Sequence, residues 1–217
     1  MRKIFARIWQ AEFCWRLRRA SDIDVTRKDL RRAISRLPYI PMPGTDSAVH
    51  TNRTMAETLY AASILLEDFG FNRAQSEVTL TKAFVACGGW LARNDMRMWM
   101  LIDKHPFLIV AAQGPAKLIR HCHGDGMRVS QDCGTDAVTL RIEQCPFQEY
   151  FWNASRPELT RVMRAWDANW MEVINASHRP MRVSSWQASG ADSHYVIQFR
   201  NLAKQRHGRR SVGPGIC

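Results

Sequence analysis

The hydrophobic pattern of this sequence changes its period near residue 127, and this change limits the folds open to the chain. Before it, apolar residues recur three and four positions apart, as in Leu80, Phe84, Cys87 and Leu91. After it, "MRVSQDC" and "AVTLRIEQ" alternate around the turn "GTD", and "MRVSSWQAS" and "HYVIQFR" around "GADS", so two hairpins are predicted. This pattern predicts an α+β fold, with N-terminal helices packed on an antiparallel sheet and β-β-α-β-β order in the C-terminal half.

The formal charge of +11 is concentrated at the two ends of the chain. Residues 1–36 hold eleven lysines and arginines against four acidic residues, and residues 200–217 hold five against none. We therefore divide the chain into a basic amphipathic N-terminal segment at 1–36, a single α+β domain at 37–200 and a basic tail at 201–217. Nucleic-acid binding is not favoured, because no interleaved basic and aromatic surface or known binding motif accompanies the charge.

An amphipathic helix is predicted at the N-terminus from the apolar stripe Phe5, Trp9, Phe13 and Leu17. Such a helix either covers a protein core or lies on a membrane surface. We favour the first interpretation, and peripheral membrane contact through residues 1–20 stays open as the second.

The sequence predicts a cytoplasmic protein. It contains no run of eighteen apolar residues, so a membrane span is not expected. Charges interrupt the N-terminus, which therefore does not resemble a secretory signal. The six cysteines are then expected to be thiols in a reducing compartment.

Helix ends can be placed from capping patterns. Thr54 and Glu57 form a possible capping box, Gly70 is expected to end that helix, and Asn72 to begin the next. The pattern "SRPE" starts the clearest apolar helical stripe, which predicts one continuous helix over 157–176.

Cys145 stands where a predicted strand meets Pro146, and four aromatic residues follow within "CPFQEYFW". Strand alternation gives it the opposite parity to Val138, Leu140 and Ile142, so it need not point into the same core layer. A thiol at such a corner acts as a nucleophile if a base or a positive field lowers its pKa. Otherwise it is a buried, inert cysteine.

Asp167 borders the apolar stripe of its helix, one turn from Trp170. A carboxylate beside indole rings can be desolvated, which raises its pKa and suits a general acid or base. The alternative is an ion pair with Arg164 on the helix surface.

Histidines occur at two further positions of interest. The segment "RHCHGDG" groups His121, Cys122, His123 and Asp125, but adjacent side chains rarely converge on one ion, so metal binding is not favoured. His194 opens the last strand and is a candidate acid or base.

Three motifs of residues 130–200 resemble the L-2-amino-thiazoline-4-carboxylic acid hydrolase family: "CPFQEYFW", "RPELTRVMRAWDANW" and "SGADSHYVIQFR". The helical N-terminal half is compatible with this family in size and order. Two positions where family members often carry cysteine hold Arg164 and His194 here. Aligning the last strand one residue later exchanges His194 for Tyr195.

The resemblance implies hydrolytic opening of a C–N or C–S bond in a small heterocycle that bears a carboxylate. Cys145 would serve as nucleophile or polariser, Asp167 as base and His194 as proton donor. Arg164 would anchor the substrate carboxylate, with Trp166, Trp170 and Tyr195 lining its pocket. We expect no cofactor and no metal.

A non-catalytic function is the alternative. Trp152, Trp166, Trp170 and Trp186 would then line an aromatic pocket that binds a small molecule as a sensor, although tryptophans at helical spacing also occur as core residues. The oligomeric state stays open.

Overall fold

The computed structural model describes residues 2–102, 116, 120, 123–134, 137–177, 181–187 and 193–199. Within these residues the predicted α+β fold is confirmed, with the helices first and the strands in the C-terminal half. In chain order the elements are α1 (Arg2–Ser21), α2 (Arg27–Ile34), α3 (Ala48–Asp68), α4 (Arg73–Ala86), α5 (Gly89–Ile102), β1 (Arg128–Cys133), β2 (Ala137–Gln144), α6 (Pro146–Asn153), α7 (Glu158–Ala165), α8 (Ala168–Ala176), β3 (Met181–Gln187) and β4 (Ser193–Phe199).

Helix α1 packs its apolar stripe against α3 and α4. Trp9, Phe13 and Leu17 are at most 6% exposed. Phe13 stacks on Trp9 with ring centroids 5.4 Å apart and meets Phe84 of α4 edge-on at 6.4 Å. Burying each such side chain contributes about 1.5–3 kcal/mol. The predicted docking of this helix on the core is confirmed for these three residues, while the side chain of Phe5 lies outside the described part of the structure.

Helix α3 ends at a glycine, as predicted. Gly70 has φ of +89°, a conformation that costs glycine little because it has no Cβ. Its amide donates to the carbonyl of Glu67 at 2.9 Å, and the Phe71 amide donates to Leu66 at 3.0 Å. These two bonds form a Schellman motif, which satisfies the last carbonyls of the helix.

The start of α3 differs from the prediction. The helix begins at Ala48, whose amide donates to Asp46 Oδ1 at 2.7 Å, so Thr54 lies well inside it. The Thr54 hydroxyl donates to the carbonyl of His50 at 2.9 Å instead of capping an end. The predicted capping box of Thr54 and Glu57 is therefore wrong, because the carboxylate of Asp46 already accepts from the first turn.

Asn72 caps α4 as predicted, and its effect can be measured. Its Oδ1 accepts from the amide of Gln75 at 2.9 Å, and the Gln75 side chain accepts from the Asn72 amide at 3.0 Å. We expect Asn72→Ala to lower the free energy of unfolding by about 1 kcal/mol. Val78 is 55% exposed on the same helix and lies away from its cap, so Val78→Ala is the control and should cost less. Equal losses in urea unfolding would contradict this account.

Both predicted hairpins form, and together they make one antiparallel four-stranded sheet of order β1-β2-β4-β3. Leu140 pairs with Gln131 on one side and with Tyr195 on the other. The buried face of the sheet packs on Ile174 of α8, with Val138, Leu140, Val183, Tyr195 and Ile197 in one apolar cluster. The α1–α4 region and the sheet therefore each have an apolar cluster, and Cys145 packs against both.

The predicted helix over 157–176 is interrupted at Trp166 and Asp167 by a tighter turn, in which the backbone stays in the helical region and the two amides donate to the carbonyls three residues earlier. The amide of Asn169 donates to the carbonyl of Trp166 at 3.0 Å, and its side-chain Nδ2 donates to the same carbonyl at 3.1 Å. A side-chain amide that bonds to a nearby backbone carbonyl competes with the regular helical pattern. The chain forms α7 and α8 instead. Asp167 lies in the two-residue turn between them, which is called the α7–α8 corner below.

Across the described residues, no helix combines the length and the apolar character that crossing a bilayer requires.

Candidate active site

Cys145 is placed by the junction of β2 and α6. The strand ends at Gln144, and Pro146 occupies the first turn of the helix, where its missing amide hydrogen costs nothing. Because the strand has ended, alternation does not fix the direction of the thiol. Cys145 is partly buried and contacts both apolar clusters, so it lies between the helical layer and the sheet.

The thiol of Cys145 is neutral at neutral pH. Burial raises its pKa above the ordinary value. The backbone amides of Gln148 and Phe147 and the guanidinium of Arg164 oppose this shift, whereas the carboxylate of Asp167 adds to it. Nucleophilic attack by Cys145 would therefore require removal of its proton when a substrate binds.

Asp167 has both carboxylate oxygens bonded. Oδ1 accepts from Trp170 Nε1 at 3.1 Å, and Oδ2 accepts from the hydroxyl of Tyr195. Burial raises the pKa of Asp167 above its ordinary value, although these two bonds and the charge of Arg164 lower it. The residue as a whole is only half-buried, so we attribute the raised pKa to its carboxyl end, which Tyr195 of β4 contacts.

Tyr195 comes to Asp167 from the sheet. It lies in β4 between Leu140 of β2 and Ser185 of β3, and it is 5% exposed. Its ring centroid is 5.8 Å from that of Trp170, with the planes tilted by 45°. Burial, followed by the carboxylate of Asp167, raises the pKa of the tyrosine well above its usual range, so the phenol keeps its proton and remains a donor.

Arg164 provides the positive charge of this corner. Its Nη2 donates to Gln148 Oε1 at 2.9 Å, which ties the end of α7 to the first turn of α6. Its charge lowers the pKa values of Cys145, Asp167 and Tyr195 alike. The structure thus brings together five of the seven residues predicted for the site: Cys145, Arg164, Asp167, Trp170 and Tyr195.

Two of the remaining candidates, Trp166 and Trp152, are not placed with these five. The indole of Trp166 donates to the carbonyl of Cys87 at 3.0 Å and packs with the helical cluster. Trp152 is 70% exposed, so it does not wall an enclosed pocket. The backbone of His194 pairs with Arg141 and with Trp186, while the side chains of His194 and Trp186 lie outside the described part. Proton donation by His194 stays a prediction.

The segment "RHCHGDG" has a packing role where it is described. His123 meets Phe147 edge-on at 5.8 Å, and burial lowers its pKa to about 4. Asp125 accepts from the amide of Thr45 at 2.8 Å and from its hydroxyl. His121 and Cys122 lie outside the described residues. Within those residues, no group of three or more His, Cys, Asp or Glu side chains is placed to hold a metal ion.

Two residues that shape this region were not predicted from the sequence. Gln148 orients Arg164, and Asn169 holds the α7–α8 corner by donating to the carbonyl of Val85 at 2.9 Å. The sequence does contain a signal for Asn169, which is a polar residue between Trp166 and Trp170 on an apolar stripe and is 1% exposed. A buried amide at such a position is expected to bond specifically.

The chain was compared with known proteins. No protein-family model matches it, and no curated protein matches it. A solved structure from the work "Probing the function of heme distortion in the H-NOX family" is similar with a TM-score of 0.37 and 12% sequence identity, over 89% of this chain and 94% of that chain. A likeness at this TM-score assigns neither fold nor function.

Proposed function

We propose that this protein is a hydrolase that opens a C–N or C–S bond in a small heterocycle bearing a carboxylate, as its resemblance to the amino-thiazoline-carboxylate hydrolases implies. The observation that carries the proposal is the Asp167 carboxyl, which is desolvated, bonded to Tyr195 and Trp170, and close to Cys145 and Arg164. Titratable groups with shifted pKa values and a common neighbourhood are typical of catalytic sites.

The reaction needs a base for water and an acid for the leaving atom. A carboxylate has about four lone-pair positions, so Asp167 can accept from a water while it keeps the bonds to Tyr195 and Trp170. Its raised pKa makes it a better base than an ordinary aspartate. As the water oxygen bonds to the ring carbon, Asp167 takes a proton. It then delivers this proton to the nitrogen or sulfur whose bond to that carbon breaks.

Arg164 is proposed as the carboxylate anchor. Gln148 fixes the orientation of the guanidinium, whose planar set of donors matches a carboxylate. Cys145 keeps its proton at rest, so we assign it to polarising the substrate or donating a proton. It acts as a nucleophile only after Asp167 has removed this proton. Among the described residues, Cys14, Cys87, Cys133 and Cys145 form no disulfide, which supports the reducing, cytoplasmic location that we propose.

Mass spectrometry tests the proposed reaction. The purified protein is incubated with L-2-amino-thiazoline-4-carboxylate and related heterocyclic acids, and the product is expected to gain one water. We expect Cys145→Ala to abolish this turnover, whereas Cys133→Ala, which changes an exposed thiol at the end of β1, should retain it. Full turnover in Cys145→Ala would remove that residue from the mechanism.

A binding function without catalysis is the second candidate, and one observation favours it. At rest, both oxygens of Asp167 are bonded and the Cys145 thiol is protonated, as expected of a stable polar wall in a binding site. Ligand binding beside Trp170 should then quench tryptophan fluorescence without forming product, and Trp170→Phe should reduce the quenching. Turnover of any of these acids would exclude this candidate.

A further inference from the structure

Helix α1 has a second, exposed apolar face. While Trp9, Phe13 and Leu17 are buried, Ile8 is 63% exposed and Trp15 is 47% exposed. These two residues are seven positions apart, so they lie on the same side of the helix, away from the buried stripe. The helix that docks on the core therefore still presents large apolar side chains to solvent.

Arginines flank the exposed tryptophan. The guanidinium carbons of Arg16 and Arg19 lie 4.6 Å and 5.0 Å from the centroid of the Trp15 ring. Both distances are within the range of a cation–π contact, which holds an arginine against an indole. Trp15 and these arginines thus form a combined aromatic and cationic surface.

Helix α2 lies beside this part of α1 and adds further exposed cations. The thiol of Cys14 donates to the carbonyl of Val25 at 3.5 Å, which holds the start of α2 beside the middle of α1. Four cationic residues of α2 are exposed, and two of them, Lys28 and Arg32, lie opposite its buried Leu30; the other two are Arg27 and Arg31.

Local acidic groups cancel this charge only in part, although Glu12 is paired with Arg16 of the surface itself. Within 1–36, eleven cationic residues stand against four acidic ones. Three of the four already have partners: Glu12 with Arg16 at 3.3 Å, Asp24 with Arg18 at 2.5 Å, and Asp29 with Thr26 in the α2 capping box. A net positive field therefore surrounds Ile8 and Trp15.

We propose that this surface, here called the α1–α2 basic face and defined by Ile8, Trp15, Arg16, Arg19, Arg27, Lys28, Arg31 and Arg32, binds an anionic membrane surface. Cations alone would suit any polyanion, but an exposed isoleucine beside a tryptophan suits the boundary between lipid headgroups and acyl chains. Tryptophan at that depth is enriched in membrane proteins, and neighbouring arginines bind anionic headgroups. The protein keeps its folded core and contacts the membrane peripherally.

Sedimentation with vesicles tests the proposal on the full chain. We expect binding to vesicles of phosphatidylcholine mixed with phosphatidylserine, no binding to phosphatidylcholine alone, and a decline as salt rises. Joint replacement of Lys28→Glu and Arg31→Glu is expected to weaken binding by roughly tenfold or more. Joint replacement of Ile8→Ala and Trp15→Ala should weaken it several-fold.

Trp152→Ala is the matched control, because Trp152 is also exposed but lies on α6. This variant should bind like the wild type. The proposal is overturned if the wild type ignores phosphatidylserine vesicles, or if Trp152→Ala is weakened as much as the Ile8 and Trp15 variant. Tighter binding to single-stranded RNA than to vesicles at the same salt would also overturn it and would assign the face to nucleic acid.

Discussion

Asp167→Asn is expected to reduce turnover of the heterocyclic substrate by about a hundredfold to ten-thousandfold, the range that general acid–base catalysis supplies. Asparagine keeps the size of the side chain and one acceptor oxygen, but it cannot take a proton from water at neutral pH. The initial rate of product formation is the measurement. Glu172→Gln is the control, because it neutralises an exposed carboxylate one helical turn further along α8.

The same variant should be more stable relative to the wild type as the pH rises. Burial raises the pKa of Asp167 in the folded state, so the folded protein holds this proton more tightly than the unfolded chain. The resulting stability is fully present below the unfolded pKa and is lost as the pH rises through the folded pKa. Asparagine has no such dependence. Urea unfolding across this pH window should therefore show the difference shifting in favour of Asp167→Asn.

Two results would contradict this account of Asp167. The first is equal loss of turnover in Glu172→Gln, which would mean that any change of charge on α8 disturbs the protein. The second is a falling stability of Asp167→Asn relative to the wild type with rising pH, which would mean that the ionised carboxylate stabilises the fold. A variant that stays folded, loses activity and gains relative stability would fit the general finding that catalytic residues often reduce the stability of a protein.

Phe13→Ala is expected to destabilise the fold by about 3–5 kcal/mol. Phe13 is fully buried between Trp9 and Phe84, and its removal leaves a cavity where α1 packs on α4. This loss is a large part of the roughly 5–15 kcal/mol that stabilises a typical domain. Urea unfolding followed by circular dichroism would measure it.

Trp15→Ala provides the comparison on the same helix. Trp15 is half-exposed, and its contacts with Arg16 and Arg19 are at the surface, so the loss should stay within about 1 kcal/mol. A similar loss for Phe13→Ala and Trp15→Ala would mean that α1 does not dock by the face described here.

The sequence predicted the order of the elements because the spacing of apolar residues differs between helices and strands. Local capping chemistry also placed Gly70 and Asn72, since these ends depend on residues within one turn. The break at Asp167 was missed because it depends on Asn169, whose amide bonds to Val85 and the carbonyl of Trp166. The bond with Val85, which is 84 positions away in the chain, leaves no periodic signal.

The candidate site was predictable in parts. Cys145 and Asp167 were predicted from their positions in the strand and the helix. Tyr195 was predicted only as a residue that lines the pocket. Its specific role as the hydroxyl partner of Asp167 depends on how α8 packs on the sheet, which alternation within one strand does not fix. Trp166 was predicted to line the pocket, but its indole donates to the carbonyl of Cys87 instead.

The α7–α8 corner, which contains Asp167, is held by hydrogen bonds to residues about eighty positions earlier in the chain. Trp166 and Asn169 bond to the carbonyls of Cys87 and Val85, and Arg93 donates to the side chain of Asn169. A Cβ at Gly89 would lie 2.6 Å from that side chain. The C-terminal half alone therefore lacks the parts that shape this corner, and a substitution in the α4–α5 connection can alter the site without touching any residue in it. Contacts of this kind, between residues far apart in the chain, are associated with slower folding.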